Sequence, residues 1–219
     1  MVGKRKYDDG CAVAQALDML GERWALLVVR DLLLGPKRFT DLLKGLPGAS
    51  PDVLTQRLRD LGDAGVVQRR RLGPPAGTWV YELTPWGADL ETIVVGLARW
   101  AHGSPQMRYD LPLGTDSVML SVKTLFDGHA AGDLDAKIAL MLNDEPFWIR
   151  INDGKLSMAR GDIAHPDVTI ETDTATLVSV LQTDRTIDDA VAVDEFRLTG
   201  NRGVVDRFFE TFAGAVENN

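Results

Sequence analysis

Between Phe39 and Leu83 the hydrophobic period of the chain changes in a fixed order, and few folds accept that order. Phe39, Leu42, Leu43 and Leu46 recur at helical spacing until Pro47-Gly48 stops them. Ser50 then caps a second helix, with Pro51 at its first position, Asp52 in its first turn and Val53, Leu54, Leu58 and Leu61 on its apolar side. After Gly65 the period falls to two. Val66–Arg71 and Trp79–Leu83 predict two strands joined through Gly73-Pro74-Pro75-Ala76-Gly77. Two short helices on a tight turn, followed by a hairpin, predict a winged helix-turn-helix. Ahead of them lie a helix over Cys11–Leu20 and a stripe from Trp24 to Leu33 that ends at Gly35-Pro36. Behind them Thr84 caps one helix, with Leu90, Ile93, Val94, Leu97 and Trp100 on its apolar side, running to about His102. That helix is longer than a winged domain needs for its own core. With the first helix it predicts the seam of a homodimer.

Charge divides the chain. The net charge is −8, which taken whole disfavours nucleic acid, but residues 1–103 carry 14 Lys+Arg against 12 Asp+Glu while residues 104–219 carry 10 against 20. A DNA-binding surface needs a local positive patch, not a positive total. The division predicts a winged DNA-binding and dimerisation domain over 1–103, a linker over 104–112 punctuated by Pro105 and Pro112, and a separate domain over 113–219. Ser50, Asp52, Thr55, Gln56 and Arg59 are the outward residues of the reading helix. Gln and Arg reach base edges, and Ser and Thr reach base or phosphate. Arg57 serves phosphate or a salt bridge. Lys37 and Arg38 precede the helix pair, and Arg69, Arg70 and Arg71 stand consecutively in the wing, where alternation sends at least one away from the others. The predicted partner is double-stranded operator DNA.

The second half predicts an α+β domain. Val118–Val122 reads as strand or helix, and Leu134, Ile138 and Leu142 punctuate Ala130–Leu142. Phe147, Ile149 and Ile151 alternate with Trp148 and Arg150. Asn152-Asp153-Gly154 turns the chain into a returning strand over Lys155–Ala159. Val168–Glu171 and Phe196–Thr199 read as further strands, and Thr174–Gln182 and Asn201–Ala215 as helices.

Residues 11–102 resemble the MarR-related HxlR-type winged-helix regulators. The likeness rests on Leu17-Asp18-Met19-Leu20-Gly21, Arg23-Trp24, Gly35-Pro36-Lys37-Arg38-Phe39, Leu54-Thr55-Gln56-Arg57-Leu58-Arg59-Asp60-Leu61, Gly65-Val66-Val67, Arg69-Arg70 and Tyr81-Glu82-Leu83-Thr84, with Gly87 beyond. The resemblance implies a homodimer that binds operator DNA and regulates transcription. It also implies thiol redox sensing at the position of Cys11 in some members. Reactivity there needs exposure and a lowered pKa, and Lys4, Arg5 and Lys6 supply cations nearby. The second half resembles the sterol-carrier-protein-2-like fold through Trp148-Ile149-Arg150-Ile151, Asp153-Gly154-Lys155-Leu156, Pro166-Asp167-Val168-Thr169-Ile170 and Leu198-Thr199-Gly200. That likeness implies a small hydrophobic ligand held among Phe126, Leu142, Phe147, Ile149, Val180, Phe208 and Phe212, side chains that equally suit a filled core.

Enzyme signatures are missing from the sequence. His102, His129 and His165 are scattered without ligand spacing, the single cysteine pairs with no second, and neither a nucleophile elbow nor a phosphate-binding glycine loop occurs. No catalytic residue, cofactor or metal is predicted. With no apolar run long enough to span a bilayer, the chain reads as cytoplasmic and not membrane-bound. The alternative reading is a lipid-binding or hydrophobic-ligand-binding protein whose winged domain mediates protein interactions.

Overall fold

The computed structural model describes residues 6–73, 76–182 and 184–212. Contacts divide the chain into Met1–Val94 and Val95–Asn219.

The first unit begins with α1 (Ala12–Leu20), α2 (Ala25–Leu32), α3 (Phe39–Gly45) and α4 (Pro51–Asp63). The Ser50 side chain accepts from the Val53 amide, satisfying one of the donors that a helix start leaves unpaired. Leu54, Leu58 and Leu61 of α4 are buried with Val28, Val29 and Leu32 of α2 and Leu42 of α3. Strands β1 (Val67–Arg71) and β2 (Trp79–Leu83) pair antiparallel, with Arg69 opposite Tyr81 and Arg71 opposite Trp79. Pro74 and Pro75 of the predicted connecting loop lie outside the described residues. The single helix expected after Thr84 is two: α5 (Pro85–Ala88) and α6 (Leu90–His102). Helix α6 crosses the division between the units, upstream of the 104–112 segment expected to be the linker.

The second unit is a five-stranded sheet in the order β5-β4-β3-β6-β7, with helices α7 (Thr115–Leu125), α8 (Gly128–Ala131), α9 (Thr174–Leu181), α10 (Ile187–Ala192) and α11 (Arg202–Glu210). Its strands are β3 (Ala136–Leu142), β4 (Glu145–Asn152), β5 (Lys155–Arg160), β6 (Val168–Thr172) and β7 (Phe196–Gly200). The central strand β3 runs antiparallel to β4 and parallel to β6. Sequence periodicity left this strand unassigned. Ala136, Ile138, Leu140 and Leu142 are buried in alternation, but Ala139 and Met141 between them are apolar as well. The alternation is therefore faint in composition. The ambiguous Val118–Val122 segment lies within α7. Asp153 and Gly154 both have positive φ (50° and 67°), the backbone that tight two-residue hairpins require, and Asn143-Asp144 between β3 and β4 does the same at 50° and 62°. Residues 213–215 of the predicted last helix lie outside the described residues.

The residues expected either to line an apolar tunnel or to fill the core are buried, except Phe126, which is half-buried. Leu142, Phe147, Ile149, Val180, Phe208 and Phe212 are all at most 6% exposed. The rings of Phe208 and Phe212 meet edge to face at 5.0 Å, and Phe126 meets Phe212 at 6.3 Å. A cavity of about 390 Å³ opens among Met141, Asn143, Glu171, Asp173, Asp194 and Arg197, and none of the expected tunnel residues borders it.

Candidate nucleic-acid interface

Helix α4 has two opposed faces. Leu54, Leu58 and Leu61 are buried, whereas Asp52, Gln56, Arg59 and Asp63 are exposed, as spacings of four, three and four residues along a 3.6-residue turn require. Gln56 is exposed and donates its amide to Asp60 at 3.0 Å. Arg59 is exposed. Thr55 is half-buried beside this face, and the Ser50 hydroxyl is committed to the cap. Asp52, Thr55, Gln56 and Arg59 therefore lie along one side of α4, with Asp52, Gln56 and Arg59 exposed on it.

Two predicted DNA contacts are turned elsewhere. Lys37 is 7% exposed. Its main chain bonds Tyr81 in both directions, at 2.9 and 2.7 Å, which draws the side chain inward to an ammonium 3.9 Å from the buried Asp31 carboxylate. Arg30 holds that same carboxylate at 2.7 Å. A Cβ on Gly45 would stand 2.5 Å from the Asp31 oxygen, so a side chain there would force this charge group to shift. Arg57 takes the salt-bridge alternative, with its guanidinium 2.9 Å from Asp60 and 3.7 Å from Glu22 and its side chain 14% exposed. Arg38 remains exposed at the start of α3, where its amide donates to Asp41.

The three wing arginines diverge. Arg69 and Arg71 share the face of the hairpin that carries Trp79 and Tyr81. Arg70 shares the other with Gln68 and Glu82. The Arg69 guanidinium lies 4.6 Å from the Trp79 ring centre. Arg71 donates to the Gly77 carbonyl at 3.1 Å. Arg70 forms a two-pronged ion pair with Glu82 at 2.8 and 2.7 Å, and that hydrogen bond holds the Glu82 carboxyl below its usual range.

Residues 19–108 match the HxlR-like helix-turn-helix family. The HTH-type transcriptional regulator YvaP of Bacillus subtilis is 37% identical over 87 residues, 40% of this chain and 81% of that protein. YodB of the same species is 33% identical over 86 residues, 39% and 77%. The chain belongs to the HxlR-like helix-turn-helix family. It spans 64% of the length of a similar regulator from Synechocystis and 58% of one from Mycobacterium tuberculosis, at 32% and 36% identity over 40% and 42% of this chain. The solved reduced form of Bacillus subtilis YodB has 30% identity and a TM-score of 0.40, covering 44% of this chain and 95% of that one. Beyond the HxlR-like part, residues 103–217 belong to the Alkyl sulfatase C-terminal family, a different description from the sterol-carrier-protein-2-like one expected from sequence.

Two further features of this family member lie outside α4 and the wing. Cys11 is exposed and sits at the N-cap of α1. No cap hydrogen bond closes there, yet the amides of Ala14 and Val13 hold its thiol below the ordinary value, because a helix start favours negative charge. Lys4 and Arg5, expected to assist, lie outside the described residues. Helix α6 leaves Ile93, Leu97 and Trp100 exposed at 59%, 48% and 77%, one stripe opposite its buried Val94 and Val95, and α1 leaves Val13 exposed at 67%. Among the described residues no helix is long and apolar enough to cross a membrane.

Proposed function

We propose that this protein is a sequence-specific DNA-binding transcriptional regulator that acts as a homodimer. The observation that carries the reading is the outward face of α4, where Gln56 and Arg59 stand opposite the buried leucines, followed in the chain by a wing with Arg69 and Arg71 on one face. The relatives' names agree with it. Dimerisation is supported by the unpartnered apolar stripe on α6 and by Val13 and Leu17 on α1, which a second copy would cover. The deciding experiment measures binding of the purified protein to duplexes from upstream of its own gene and its neighbours, with salt titrated. One fragment is expected to bind at least ~10³-fold more tightly than random DNA. Weak, steeply salt-dependent binding to every fragment would defeat the reading, since that is backbone attraction without base recognition.

Two finer readings attach to this one. The second domain, read as sterol-carrier-protein-2-like, receives a small apolar effector between sheet and helices. Any effect of that ligand on DNA binding must be reciprocal between ligand and operator. Cys11 acts as a redox sensor, supported by its exposure and lowered thiol pKa. Peroxide is expected to change operator affinity in the wild type but not in Cys11→Ser. Unchanged affinity, with oxidation of Cys11 verified by mass spectrometry, would remove the sensing role.

A further inference from the structure

The wing carries three adjacent cations on two faces of a two-stranded ribbon, and their surroundings differ in kind. Arg70 presents Nε and Nη2 to the two carboxylate oxygens of Glu82 at 2.8 and 2.7 Å, and Gln68 adds a third hydrogen bond to the same carboxylate at 2.9 Å. The Glu82 side chain is 17% exposed and that of Arg70 46%, so solvent screens the carboxylate end only partly, while the two-pronged geometry adds strength to the pair. Drawing Arg70 toward a phosphate would exchange one anion for another and leave the shielded Glu82 without its cation. Arg69 is held differently. The faces of Trp79 and Tyr81, 4.6 and 6.0 Å from its guanidinium, fix it in place without cancelling its charge. Arg71 gives one N–H to the neutral Gly77 carbonyl and likewise keeps its charge.

We infer that Glu82 withholds Arg70 from the DNA backbone, so that the wing meets phosphate through Arg69 and Arg71 and not through all three arginines. The inference rests on the DNA-binding reading, and it makes Glu82 a positioning residue that sets the charge count of the wing.

The test is the salt dependence of binding to a random-sequence duplex, where each neutralised phosphate contributes about 0.9 to the slope of log affinity against log salt. Arg70→Gln is expected to keep the wild-type slope, and Arg69→Gln to lower it by about 0.9 per engaged wing. Glu82→Gln preserves the shape of the side chain, frees Arg70, and should steepen the slope by about 0.9 per wing. The double variant Glu82→Gln/Arg70→Gln should return to the wild-type slope. The inference is overturned if Arg70→Gln lowers the slope as Arg69→Gln does. It is overturned equally if the gain of Glu82→Gln survives in the double variant, for then Glu82 merely repels phosphate. Should the wild type bind no duplex at all, the DNA-binding reading fails by itself. The clamp is then read from the titration of the Glu82 carboxyl by NMR, expected below the usual range in the wild type and raised in Arg70→Gln, with equal titration in both overturning it.

Discussion

For the proposed homodimer, Leu97→Glu is expected to leave a monomer of 24.0 kDa and to abolish tight operator binding. Leu97 sits between Ile93 and Trp100 on the exposed stripe of α6, one turn from each, and is itself 48% exposed in the single chain. In a two-fold seam the substitution acts twice, placing two like carboxylates in a surface that must lose its water. Each desolvated and unpaired charge costs several kcal/mol, against roughly 1.5–3 kcal/mol gained by burying a large apolar side chain. Two such charges offset a large part of what the apolar contacts contribute, so the dimerisation constant should weaken by at least about a hundredfold. Operator affinity falls with it, because a palindromic site rewards two reading helices held at a fixed spacing. Sedimentation equilibrium gives the mass, and circular dichroism checks that the fold survives. A variant that stays dimeric and binds its operator normally would show that α6 is not the seam.

The parts of this molecule that were legible in sequence are those where one residue type does one local job. Ser50-Pro51 marks a helix start because a side-chain oxygen and a missing amide both suit the unpaired first turn, and α4 begins there. The alternation of Arg69, Arg70 and Arg71 correctly separates one arginine from the other two. What sequence left open was decided by partners distant along the chain. Lys37 looks like an exposed cation until its main chain pairs with Tyr81 and carries it toward Asp31. Arg70 looks equivalent to Arg69 until Glu82, 12 residues on, takes its charge. Strand β3 went unassigned because Ala139 and Met141 on its half-buried face are apolar like the buried Ala136, Ile138, Leu140 and Leu142, which blurs the alternation. Cys11, expected as the first residue of a helix, stands at the N-cap of α1 and is exposed.

Gly87→Ala is expected to unfold the first unit at far lower temperature, whereas the same substitution at Gly62 should leave it as stable or more so. Gly87 begins as one small residue in the Tyr81–Thr84 neighbourhood of the sequence likeness, and the fold supplies its reason. A Cβ there would stand 2.0 Å from the Val66 carbonyl oxygen and 2.9 Å from its carbon. Neither side can retreat cheaply. That oxygen accepts the Thr84 amide at 3.0 Å where the hairpin closes, and the Thr84 hydroxyl donates to Gly65 at 2.7 Å while accepting the Gly87 amide at 3.0 Å. Making room breaks the cap of α5 or the base of the wing, a backbone overlap at the severe end of overpacking, costing at least about 3 kcal/mol. For a unit of this size each kcal/mol moves the midpoint by roughly 4–8 °C, so a fall of about 12 °C or more should appear in calorimetry. Gly62, within α4, offers the opposite case: its nearest non-local atom is the Val67 oxygen at 3.8 Å, an ordinary contact. Alanine there relieves the entropic penalty of glycine in a helix, a gain of roughly 0.5–1 kcal/mol. The two halves of the chain need not melt together, so the transition to follow is the one that also shifts when operator DNA is added. If Gly87→Ala leaves that transition in place, the close packing of α5 on Val66, just ahead of β1, is wrong and the wing is not anchored as described.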